Sequence, residues 1–93
     1  MRAHEAERPG YSYAGQRDRL FTEDGQRSFL AIRDKVQDLL GKAGAFQSSH
    51  VMIGDSWLAL AALDRMVELG ELREVTDSAS TWGQHRVFVR SRE

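Results

Sequence analysis

The chain has 93 residues, 41% hydrophobic and 29% charged, with 13 basic and 14 acidic side chains and a formal net charge of −1. That length supports one domain with one modest core. The near-neutral balance gives no electrostatic pull toward phosphate, and the lack of cysteine excludes disulfides and thiolate metal sites. The first ten residues hold no apolar run of the signal-peptide kind, and no stretch reaches membrane-spanning length. The expectation is a soluble, cytoplasmic protein without membrane contact.

Residues 1–10 alternate charged and small side chains and end in Pro9-Gly10, which predicts a mobile tail. Residues 11–21 carry Tyr11, Tyr13, Leu20 and Phe21 and are too apolar for a free tail. They are either an arm packed on the domain or a homodimer contact through Tyr11 and Tyr13. A first long helix is predicted after Thr22, a good N-cap, with Glu23 and Asp24 where the helix dipole favours acids. Phe29, Ile32, Val36, Leu39 and Leu40 recur at helical spacing, and Gly41, Lys42 and Gly44 are stop signals.

Ala45-Phe46-Gln47 reads as a short extended connector, with Phe46 plugging the core. Ser48 or Ser49 can cap a short second helix running through Ile53 and ended by Gly54. Asp55 is then the N-cap of a third helix whose buried stripe is Ala59, Leu63, Met66 and either Ala62 or Leu69. Gly70 falls where a left-handed C′ residue is wanted. Leu72 to Val75 reads as a strand, 76–81 as a polar turn region closed by Trp82-Gly83-Gln84, and His85 to Arg90 as the return strand.

That order, together with Leu63-Asp64-Arg65-Met66-Val67-Glu68-Leu69-Gly70-Glu71-Leu72-Arg73-Glu74-Val75, resembles the winged helix-turn-helix superfamily. The segment is similar to the ending of recognition helices in bacterial regulators of the MarR, ArsR and GntR kinds. The likeness covers about residues 22–90 and implies an α+β fold, a small winged-helix domain over 22–93 with three helices and a C-terminal β-hairpin wing. It implies that outward residues near the start of the third helix read bases and that the wing touches phosphate. By position these are Ser56, Trp57, Leu60, Ala61 and Arg65 on the helix, and Trp82, Gln84, Arg86 and Arg90 on the wing.

The charges pull the other way. Between Gly54 and Val75 five acids face two bases, a net −3 on the supposed reading element. What remains in favour of DNA is the stretch from Ser78 to Arg92, which has no acid and carries Arg86, Arg90 and Arg92. Trp82 with Arg86 and Arg90 forms a candidate contact patch, since tryptophan and arginine are enriched in interface hot spots. Trp82 alternatively folds back over the hairpin, and Trp57 is expected as a partly buried packing residue.

Catalysis and cofactors find no support in the residues. His4, His50 and His85 lack metal-ligand spacing, Ser48-Ser49 before a helix reads as caps, and the carboxylates read as scattered on solvated faces. Two functions remain. The first, taken as the expectation, is a DNA-binding transcriptional regulator. The alternative is an interaction module that binds another protein and no DNA, an adaptor or a small inhibitor encoded by a mobile element.

Overall fold

The computed structural model of the chain describes residues 16–77 and 80–91. The predicted tail, the tyrosines Tyr11 and Tyr13, and Arg92 lie outside them. The described chain is mixed α+β: helices α1 (Gln16–Arg19), α2 (Glu23–Ala43) and α3 (Ser56–Glu68), and strands β1 (Ala45–Gln47), β2 (Leu72–Glu74) and β3 (Val87–Arg90). The strands form one antiparallel sheet in the order β1-β3-β2.

Thr22 caps α2 as the sequence predicts, its hydroxyl accepting from the Gly25 N–H. Phe29, Ile32, Val36 and Leu40 face the core. The helix stops where Gly44 turns left-handed (φ 79°) and its N–H bonds to the Leu40 carbonyl. Asp55 caps α3 by accepting from the N–H groups of Trp57 and Leu58. At the other end Gly70 is left-handed (φ 79°). The N–H groups of Gly70 and Glu71 return to the carbonyls of Val67 and Met66, the Schellman ending that turns the chain into β2.

Three local expectations change. The connector at 45–47 is a true strand, because Phe46 lies directly opposite Phe88 in the register and the two rings stack at 5.6 Å. The second helix is a single 3-10 turn, Ser48–Val51, and no serine caps it; the Ser48 hydroxyl bonds across the fold instead. The return strand starts at Val87, after a 3-10 turn at Gly83–His85.

The segment 16–21 is a packed arm. Leu20 is wholly buried, and α1 lies on α3 through Arg17 to Glu68 (3.0 Å) and Arg19 to Asp55 (2.9 Å). Gly25 makes this contact possible, since a Cβ there would sit 1.8 Å from the Arg19 carbonyl oxygen. Gly25→Ala should therefore lose roughly 1–3 kcal/mol. Gly41→Ala, in an open helical position with nothing within 4 Å, should gain roughly 0.5–1 kcal/mol. Urea unfolding of both variants checks the pair, and the same sign for both would refute this account of the arm.

Candidate functional site

The site grows from two neighbouring features, a buried ion cluster and the groove beside it. Along β3 the side chains alternate, and the register pairs Glu74 with Phe88 and Leu72 with Arg90. Phe88 points into the core, so Arg86, two residues earlier, points the same way. Its side chain is only 4% exposed. Nη2 donates to Asp64 Oδ1 at 2.6 Å and to Glu74 Oε1 at 2.8 Å, while Nε donates to Glu74 Oε2 at 3.0 Å. The guanidinium carbon also sits 5.2 Å from the centre of the Phe88 ring.

Both backbone groups of Arg86 are engaged by one residue. Its N–H donates to Ser48 Oγ at 3.1 Å, and its carbonyl accepts from the Ser48 N–H at 2.7 Å. The Ser48 hydroxyl in turn donates to the Gly83 carbonyl. One buried serine thus ties the 48–51 turn to the 83–85 turn. Thr76 completes the frame, donating its hydroxyl to Glu74 Oε2 at 2.7 Å and accepting from the Val87 N–H at 3.1 Å.

Two carboxylates share one guanidinium in a dry place. Burial pushes the Asp64 carboxyl up to about 6, with Arg86 pulling against it and Glu74 and Glu68 adding to the rise. Burial works against the charge on Arg86, but its hydrogen bonds and charge pairing with Glu74 and Asp64 outweigh this and raise its pKa further. Asp64 is 2% exposed, and its Oδ1 accepts from Arg86. Among the described residues no group of three or more metal-ligating side chains occurs, and no helix is long and apolar enough to cross a membrane.

Beside the cluster, the first turn of α3 and the 83–85 turn enclose a groove of about 290 Å³. Its walls are Trp57 and Trp82, its floor Leu60 and Met52, and its polar rim Ser56 and Gln84. Trp82 is 80% exposed and Trp57 47%, so Trp82 does not fold back over the hairpin. The Ser48 link to Gly83 fixes the turn that carries Trp82, and the Asp55 cap fixes the turn that carries Trp57.

The predicted contact residues divide. Ser56, Trp57, Trp82 and Gln84 come together on the groove. Leu60 and Ala61, expected to face outward, are buried at 5% and 3%. The correction follows from α3 being buried at every position from Leu58 to Asp64: α2, β2 and the 48–51 turn pack against it, and α1 covers the side left over. Within the same helix Ala62 joins the buried stripe and Leu69 does not. Arg65 is half-buried, ion-paired to Glu68 at 3.0 Å and stacked on Phe21 at 5.2 Å. Arg86 is removed from the surface, and Arg90 stays exposed at the far end of β3, so the expected patch of Trp82, Arg86 and Arg90 does not form.

The acids of this element are likewise not solvated at large. Asp55, Asp64, Glu68, Glu71 and Glu74 each hold an arginine, from α1, from α2, from α3 itself or from the approach to β3. Sequence reasoning missed Asp64, Ser48 and Met52. Asp64 carried no signal, since it lies one helical turn after Leu60, on the side expected to face outward.

Comparison with protein-family models, with curated proteins and with solved structures returns no match.

Arg86→Ala should destabilise the fold by about 3–5 kcal/mol, because it strands two buried carboxylates. Asp64→Asn tests the raised pKa. A carboxyl that holds its proton more tightly when folded contributes stability below its ordinary pKa of 3.8, lost as pH rises through about 6. Relative to Asp64→Asn, the wild-type protein should therefore lose roughly 2–3 kcal/mol between about pH 4 and 7. Chemical unfolding across that range is the measurement, and a pH-independent difference would refute the assignment.

Proposed function

We propose that this chain is a winged-helix-type interaction module whose working surface is the groove between Trp57 and Trp82, and that its partner is a protein. The element order α2, 48–51 turn, α3, β2, β3, with β1 laid along β3, supports the winged-helix likeness as a layout. The observation that carries the functional reading is the inward turn of Arg86. A wing that grips phosphate needs its cations at the surface, and here the central one is spent on Asp64 and Glu74.

The rest of the charge pattern agrees. Among the described residues Lys35, Arg73 and Arg90 make no ion pair. Arg73 is paired with Val89, next to the Leu72–Arg90 pair, so Arg73 and Arg90 point to opposite faces of the sheet. Among the described residues, the two hairpin arginines outside the cluster thus share no face. The middle of α3 is moreover covered by the arm and the core, so its exposed residues are Ser56 and Trp57 at the start and Glu68 at the end. Two exposed indoles beside an apolar floor are what a protein partner uses as anchors.

A titration with random duplex DNA should show binding no tighter than about 10⁻⁴ M at physiological salt. Tighter, salt-steep binding would refute the reading. In cells, a photo-crosslinking residue in place of Thr81, next to Trp82 and outside the groove lining, should give one discrete protein adduct. The same residue in place of Leu30, exposed on α2 at 53%, should give none.

A further inference from the structure

We propose that the groove takes a short, uncharged, proline-containing segment of the partner in polyproline II form. This rests on the interaction reading above and names the chemistry of what binds.

The first constraint is charge. None of Met52, Ser56, Trp57, Leu60, Trp82 or Gln84 is charged at neutral pH. The nearest acid, Asp55, is held by Arg19 at 2.9 Å and by two backbone N–H groups. Arg86, two residues after Gln84, is turned into the core, and Arg19 is engaged on Asp55. A charged side chain entering the groove would lose hydration and meet no charged lining residue among those described. Acidic peptides, basic peptides and phosphodiesters are all disfavoured by the same fact, and a neutral occupant matches it.

The second constraint is hydrogen bonding. The groove presents the Ser56 hydroxyl, the Gln84 carboxamide and the Trp82 indole N–H, and none of the three has a partner among the described residues. An α-helical occupant satisfies its own backbone and leaves these donors idle. A β-strand occupant needs a free strand edge, and the groove is walled by a helix turn and a 3-10 turn. Polyproline II has no internal hydrogen bonds and shows its carbonyls to the surroundings. It is the one regular backbone that uses what the groove offers.

The third constraint is shape and cost. About 290 Å³ lies at the low end of pockets that engulf a small molecule and suits a few residues of extended chain. Proline rings lie flat on exposed indoles, and their segment is ordered before it binds, so little entropy is lost on docking.

The chain has two tryptophans, so its indole N–H resonances report the two walls separately. Acetyl-decaproline-amide titrated into ¹⁵N-labelled full-length protein should shift both indole signals saturably. An uncharged Gly-Ser peptide of equal length should not. Trp82→Ala should weaken the decaproline affinity at least about tenfold without lowering Tm, and the affinity should be insensitive to salt. No saturable shift up to several millimolar, or equal binding of the Gly-Ser peptide, would overturn the proposal. So would indole shifts that follow protein concentration without peptide, which would place a second copy in the groove. If decaproline fails while the crosslinker at position 81 still captures one protein, the interaction reading stands and the polyproline assignment falls.

Discussion

Arg86 is where the sheet, α3 and the loop before β3 are joined. A guanidinium is rarely buried unless its donors are matched, because the loss of hydration costs several kcal/mol per ion. Here Asp64 comes from the middle of α3, Glu74 from the end of β2, and the Phe88 ring lies beneath the plane. Three elements distant in sequence must be in place together for the charge to be tolerated. The cluster therefore does more for uniqueness than for stability: an apolar triad of the same volume could hold the elements as firmly. It would not penalise a slipped register so heavily, since a one-residue shift of β3 would turn Arg86 outward and strand both acids.

The same cluster decides what the surface looks like. Arginines from α1, α2 and the approach to β3, with Arg65 of α3 itself, engage the acids of this element, so the five acids that leave it at −3 in sequence are each matched by an arginine in space. The exposed pairs among them contribute little stability one by one. Their consequence is geometric, because Arg17 and Arg19 hold the arm across α3 and close the side of the helix that a DNA reader would keep open.

Much of the fold was legible from short-range chemistry. Thr22, Asp55, Gly44 and Gly70 act within one turn of their own position, and each does what its residue type predicts. The long helix, the third helix and the hairpin follow from periodicity. What could not be read were the contacts set by distant partners. Ser48 looks like a cap and is a cross-link to Gly83 and Arg86; nothing local distinguishes the two uses of a serine hydroxyl. Leu60 and Ala61 looked outward because a helix in isolation has an outer face, whereas here neighbouring elements bury both, and Leu60 forms the floor of the groove. Arg86 was read as a surface cation, and alternation could not correct this: it puts both Arg86 and Arg90 on the face of Phe88, and only Arg86 is buried, because Asp64 and Glu74 are there to receive it.

Cluster and groove are also one mechanical unit. Trp82 is 80% exposed, and an indole so exposed on a loose loop would lose much entropy when held by a partner. This loop is not loose: Gly83 is held by Ser48, Ser48 by both backbone groups of Arg86, and Arg86 by two acids. The opposite wall is anchored by the Asp55 cap, which Arg19 of the arm keeps charged by holding its pKa below the ordinary carboxylate value. Both indoles thus stand on turns whose positions are fixed before any partner arrives. An apolar surface held open in this way costs solubility and returns nothing to the isolated fold. The economical explanation of why the chain anchors it so firmly is that the groove works by being preorganised, with the buried ions as its foundation.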